Sequence, residues 1–286
     1  VLGNGATSPG SQGQAVTSMA LGQNGVVGVG GFANGAAFPV QNAIVGSCPQ
    51  RTDGSGVCYS SGFIAAIDTT QSGAASLLYS SYLAGSVPIG ATTQVNGVAM
   101  DAQNNLYATG STQAHDFPVT AGTLSPGCTT SDETRFCNDA FLLKVGPAGN
   151  LIWSTYYGTG APPCPAVTGY AVATDSDSNV YLAGNTQGCG VPQANPFQAA
   201  PKGANAILAT LSPDGSKVLF GSYYGGAGTE IPSGIAVDAS GNIYFAGYTT
   251  SVDLPGTAGS VAPSNPGPGY RIGFIGKVAM TGAGQD

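Results

Sequence analysis

The chain has 286 residues, enough for one or two domains and a large core, and it is 42% hydrophobic but only 7% charged, with 46 Gly and 19 Pro. That composition suits many short strands joined by tight turns and excludes an architecture of long helices. A net charge of −7 and a pI near 4.3 repel phosphate backbones and anionic lipid, so nucleic acid is not an expected partner.

No apolar run reaches the roughly 20 residues that a membrane-spanning helix needs, so no membrane insertion is expected. Val1 does not open a charged-then-apolar signal segment, and any export signal is expected to have been removed already.

Residues 1–13 form a terminal segment beginning Val1-Leu2. The first repeat, roughly 14–85, opens with QAVTSMALGQNGVVGVGGFA, two apolar stretches around a polar turn in which Leu21 stands where later copies carry Asp. A Phe38-Pro39 step follows, and Pro ends the strand because it cannot donate to a ladder. Cys48 and Cys58 then flank a polar loop before the apolar run GFIAAI, and LLYSSYLAG closes the unit.

The second repeat, 96–159, has the same layout: NGVAMDAQNNLYATGSTQ, Phe117-Pro118, a loop bounded by Cys128 and Cys137, AFLLKV and LIWSTYYGT. The third, 170–226, reads YAVATDSDSNVYLAGNTQ, Val191-Pro192, NAILATL and VLFGSYYGG. The fourth, 233–280, reads SGIAVDASGNIYFAGYTT, Leu254-Pro255 and GFIGKV, then ends without a fourth apolar strand.

Four short antiparallel strands per unit, repeated around a ring, are the pattern of a β-propeller blade. The expectation is an all-β, single-domain, four-bladed β-propeller over 1–286. Its last blade lacks a strand, and the N-terminal VLGNG sits in the register where a fourth strand belongs. Val1 and Leu2 are therefore expected to pair at the edge carrying Lys277, Val278 and Met280. The pairing is in cis to close the ring, or in trans from a neighbour to make a polymer.

With IAVDASGNIYFAGYT, LSPDGS and VLFGSYYGG in view, the chain resembles the β-propeller repeat of secreted bacterial proteins, whose units read approximately AVD-x-x-GN-x-Y-x-x-G and then YSTYLGG. The resemblance implies export and a role at cell surfaces or in adhesion, and it brings no catalytic residues.

Six Cys, with His115 as the only histidine, suit oxidised pairs better than a zinc site. The expected disulfides are Cys48–Cys58, Cys128–Cys137 and Cys164–Cys189, which imply an oxidising, extracellular or cell-surface location. DSDSN, 175–179, alternates oxygens as a calcium loop does, but the parallel DAQNN and DASGN mark a hairpin turn. No metal or cofactor is expected.

His115 beside Asp116 has no second His and no GxSxG elbow to make a triad. Asp132, Glu133, Asp139, Asp177 and Glu230 form a glycosidase pair only if the fold brings two of them together. The expectation is therefore a non-enzymatic extracellular structural protein that assembles with copies of itself. The alternative is a monomeric surface propeller that binds glycan or protein, with the aromatics of LIWSTYYG lining a sugar face.

Overall fold

The computed structural model describes residues 13–35, 38–55, 57–125, 127–128, 132–158, 166–188, 190–256, 260–261, 265, 267 and 269–280. Val1, Leu2, Cys164 and Cys189 lie outside the described residues, and so does the expected third disulfide.

The described chain is all-β, with a single 3-10 turn at Gly73–Ser76. Four antiparallel sheets follow one another in chain order. The first blade is β1 (Gln14–Leu21), β2 (Val26–Gly35), β3 (Val57–Asp68) and β4 (Leu77–Leu83). The second is β5 (Thr93–Met100), β6 (Leu106–Thr112), β7 (Asp139–Val145) and β8 (Leu151–Tyr157). The third is β9 (Val167–Thr174), β10 (Val180–Thr186), β11 (Ala206–Leu211) and β12 (Val218–Tyr224). The fourth has three strands, β13 (Glu230–Val237), β14 (Ile243–Thr249) and β15 (Ile272–Val278).

The first-strand turns show why the repeat reads Asp-x-x-x-Asn-x-Tyr. Asp101 Oδ1 accepts from the backbone N–H of Gln103 and Asn105, while Oδ2 accepts from Asn105 Nδ2 and Tyr107 OH, all at 2.8–2.9 Å. Asp175 gathers the same four donors from Asp177, Asn179 and Tyr181, and Asp238 from Ser240, Asn242 and Tyr244. One carboxylate thus satisfies the turn backbone and anchors the next strand. All of its oxygens are engaged in turn closure, which is the role these residues have at 175–179.

The first blade manages without the Asp because its turn is the pair Asn24-Gly25, with φ of 57° and 79°. That is the left-handed pairing of a two-residue hairpin, which Asn-Gly adopts at low cost.

The first two blades each carry an aromatic wedge, where the third has Val191 and Ile207 beside Tyr223. Phe38, Phe63 and Tyr82 cluster in the first, with Phe38 4.7 Å and 5.2 Å from the other two ring centres. Phe117, Phe141 and Tyr156 do the same in the second. The Pro does not end the strand as expected: β2, β6, β10 and β14 stop at Gly35, Thr112, Thr186 and Thr249, before Pro39, Pro118, Pro192 and Pro255, and the buried Phe38 and Phe117 are what the step supplies to the core. Each fully buried ring contributes on the order of 2–3 kcal/mol.

Successive blades pack through their first strands, β5 on β1, β9 on β5 and β13 on β9. Thr17 Oγ1 donates to Val95 O at 2.6 Å, and Asn96 Nδ2, at the same register position, donates to Gly169 O at 2.8 Å. β1 and β13 stand at opposite ends of this series and share no comparable packing among the described residues. The four antiparallel sheets are those of the expected four-bladed β-propeller, and among the described residues its two terminal faces do not meet.

Candidate functional site

The site is the outer edge of the fourth blade, built from the residues that elsewhere hold a fourth strand. In the complete blades the fourth strand lies antiparallel to the third, with Phe63 opposite Tyr82, Phe141 opposite Tyr156 and Ile207 opposite Tyr223. Each Tyr hydroxyl is tied down: Tyr82 donates to Gly35 O, Tyr156 to Ala114 O and His115 O, and Tyr223 accepts from Val191 N.

β15 repeats the third-strand register, with Phe274 opposite Gly247 as Phe141 is opposite Gly110. Among the described residues no strand lies beyond it. A groove of about 1010 Å³ opens there, walled by Tyr224, Phe245, Leu254, Phe274 and Ile275 and reaching Ser251 and Val252. Ser251 and Val252 follow Thr249 as Ala114 and His115 follow Thr112, so the carbonyls that anchor Tyr156 in the second blade have counterparts at this groove.

The groove is apolar and its aromatics are preset. Tyr224 meets Phe245 edge-on at 4.9 Å, and Phe274 lies 5.6 Å from Tyr224 and 5.7 Å from Phe245. Burial pushes the Tyr224 phenol up to about 12, with nearby Glu230 adding to the effect. Tyr224 is therefore neutral across ordinary pH.

Beneath this edge lies a polar knot. Glu230 is fully buried, and its carboxylate accepts from Asn205 Nδ2 at 2.9 Å, Thr249 Oγ1 at 2.6 Å and Ser251 Oγ at 2.5 Å. Asn185 Nδ2 donates to the Glu230 carbonyl at 2.8 Å, so the knot ties the third blade to the fourth.

Of the residues expected at the edge, Lys277 and Val278 line the groove, with the Lys277 ammonium 5.2 Å from the ring centre of Tyr244. Met280 lies past β15, where its N–H donates to Asn242 Oδ1 at 2.9 Å, so it caps the Asp238 turn and stands outside the pairing edge. The edge is Ile272–Val278. Sequence reasoning missed Phe245, Phe274 and Leu254 as the groove's walls. Their signal was the Tyr recurring in YSSY, STYY and GSYY, which needs an apolar cradle in every blade.

The carboxylates weighed for catalysis fall in separate places. Asp132 and Glu133 are exposed in the loop before β7, Asp139 is buried at the start of β7, Asp177 sits in the β9–β10 turn, and Glu230 is in the knot. His115 Nε2 contacts Arg135 O at 2.6 Å in a loop-to-loop bond. Trp153 is buried and donates Nε1–H to Pro213 O at 2.8 Å, joining the second blade to the third, and Tyr156 and Tyr157 are fully buried. Trp153, Tyr156 and Tyr157 of LIWSTYYG are packing residues.

Cys48–Cys58 and Cys128–Cys137 are bonded, with Cα separations of 5.8 Å and 5.9 Å that suit a disulfide. Asp139 lies near Cys128 and Cys137, but a bonded pair offers no thiolate to a metal. No helix among the described residues is long and apolar enough to cross a membrane.

A family model described as a β-propeller repeat matches residues 79–118 and 220–255. The match to β-propeller repeats falls at two places in this chain. Both matches run from a fourth strand through the first two strands of the following blade, so the repeat unit straddles the joint between blades. Both end at an Asp-x-Pro step that clamps the linker. Asp116 accepts from Ser86 N and Val87 N, and Asp253 accepts from Ala227 N. The linker glycines keep this clamp possible, since a Cβ on Gly85 or Gly226 falls 2.3 Å or 2.1 Å from the carboxylate oxygen.

Among solved structures the chain is similar to xylan beta-1,4-xylosidase from Bacillus Halodurans C-125, at 12% identity and a TM-score of 0.37, over 97% of this chain and 44% of that one. The chain thus spans less than half the length of that protein. No curated protein matches.

Proposed function

We propose that this chain is a non-enzymatic structural module of an extracellular assembly, a propeller scaffold that joins copies of itself by strand complementation at its fourth blade. The observation that carries the reading is the open β15 edge beside a preformed aromatic groove, at the position where three sister blades each hold a strand. An unpaired edge flanked by apolar side chains is a template for another chain's strand.

Two further features support the reading. The Cys48–Cys58 and Cys128–Cys137 bonds suit an oxidising compartment outside the cell, and the carboxylates and the single histidine are dispersed or engaged in structural bonds. A surface propeller that binds glycan is the competing reading.

The test is electron microscopy of the oxidised protein at high concentration, alongside Gly273→Pro. Regular fibres from the native protein and none from the variant, whose β15 has lost a backbone donor, support the scaffold. Dispersed single particles at every concentration overturn it.

A further inference from the structure

Three times within this chain one blade is joined to the next by the same geometry, and both ends of the array present that geometry uncovered. At each internal joint the first strand of the later blade crosses the sheet of the earlier one and seals a third-strand side chain. Those side chains are Ile64, Leu142 and Leu208, each 0% exposed, and they stand opposite Gly30, Thr109 and Ala183. The fourth blade repeats the register with Ile275 opposite Ala246, and Ile275 is 86% exposed.

A second group repeats in the same way. In the second blade Tyr107 donates to Asp101, the Lys144 ammonium lies 5.0 Å from the Tyr107 ring centre, and the ring is 0% exposed under the third blade. In the fourth blade Tyr244 donates to Asp238 and Lys277 lies 5.2 Å from its ring centre, yet the ring is 36% exposed. The face is built for burial, and among the described residues no blade covers it.

The other end is its complement. β1 and β5 share a bulge at the same place, which aligns Val16 with Val95, Met19 with Val98 and Leu21 with Met100. Val95 and Val98 are 0% and 7% exposed against the first blade, whereas Val16, Met19 and Leu21 are 52%, 63% and 75% exposed. Ser233 of β13 occupies the register position from which Thr17 and Asn96 reach the next first strand, and it too faces solvent.

We infer that the β13–β15 face of one copy receives β1 of a second copy, so that Val16, Met19 and Leu21 dock over Ile275 and Tyr244 as Val95, Val98 and Met100 dock on the first blade. The occupant is a second copy because the two faces belong to opposite ends of one array and, among the described residues, do not meet within it. The docking rests on the scaffold reading and specifies its joint. Two different patches meet, so the contact is heterologous and propagates as a closed ring of copies or an open fibre.

Sedimentation of Met19→Asp and Ile275→Asp, separately and mixed, tests this. Both positions are exposed, so both variants keep the native melting temperature, and each self-associates at least about tenfold more weakly than the native protein. Mixed one to one they form a dimer and stop, because Met19→Asp keeps an intact fourth-blade face and Ile275→Asp an intact β1.

If either variant alone associates as the native protein does while native fibres form, the docking is wrong and the scaffold stands. If the native protein stays monomeric at high concentration, both fall. If the native protein is monomeric and both variants melt at lower temperature, the faces meet within one copy, and this too overturns the docking.

Discussion

The Asp101 turn allows the repeat's logic to be tested by magnitude. Asp101→Ala removes the acceptor of four hydrogen bonds and leaves Lys144, whose side chain is 12% exposed and whose Nζ lies 3.8 Å from Asp101 Oδ2, without its carboxylate. Water replaces the acceptor for the half-buried Asn105 and Gln103 donors, at a cost of about 0.5–1 kcal/mol each, but it does not reach the Tyr107 hydroxyl, which adds about 1–3 kcal/mol. The expected loss is about 4 kcal/mol, read as the shift in the urea unfolding midpoint at constant m. Asp238→Ala removes the same bonds in a turn where Tyr244 is exposed, and should cost distinctly less. In the double variant Asp101→Ala/Tyr107→Phe the stranded hydroxyl is gone, so the two costs should fall short of additive by about 1–2 kcal/mol. Equal losses at Asp101 and Asp238, or additivity in the double variant, would refute the reasoning that burial of the tyrosine sets the value of the turn.

Replacing Cys48 and Cys58 by Ser opens a loop whose ends are 10 residues apart and should lower stability by roughly 2–3 kcal/mol, visible as a lower melting temperature that reductant no longer changes. Glu230→Ala strands three buried donors and should cost about 4 kcal/mol, with Glu230→Gln losing less because one acceptor remains; indistinguishable unfolding midpoints for the two variants would contradict this. Acid should act late. Asp101 and Asp116 are raised by burial but lowered further by the Asn105, Tyr107 and Gln103 donors and by the Ser86 and Val87 donors respectively, and the Asn242 side chain leads the lowering of Asp238. Their folded values lie below the unfolded ones, so the stability they contribute is full above about pH 4 and is lost as pH falls through the folded values. Circular dichroism should show an unfolding midpoint unchanged from about pH 7 to 5 and falling below about 4, and a decline already under way between 7 and 5 would point to other groups.

The blades were legible because each carries its own punctuation. The Asp-x-x-x-Asn-x-Tyr turn, the apolar-Pro step and the Tyr of the fourth strand all recur at fixed places, and the missing fourth strand could be read as a gap in that register. The first blade was harder only because Asn24-Gly25 closes its turn without an Asp. Met280 follows β15, and the bond from its backbone N–H to Asn242 could not be read from an apolar residue that continues the strand pattern. The open terminal faces were illegible for a different reason. Ile275 has the same sequence setting as Leu142 and Leu208, and exposure depends on whether a blade arrives from elsewhere, which no local pattern records.

Self-assembly by strand complementation requires that the β15 edge be open in one copy and covered in the assembly. Amide hydrogen exchange across Ile272–Val278, followed from dilute to concentrated protein, measures this directly. Fast exchange when dilute and protection that appears together with assembly is the expected result, with β7 and β11 protected throughout. Protection of β15 that is already complete in the dilute monomer would mean that the edge is closed within one copy, and exchange that stays fast inside fibres would mean that copies join somewhere else.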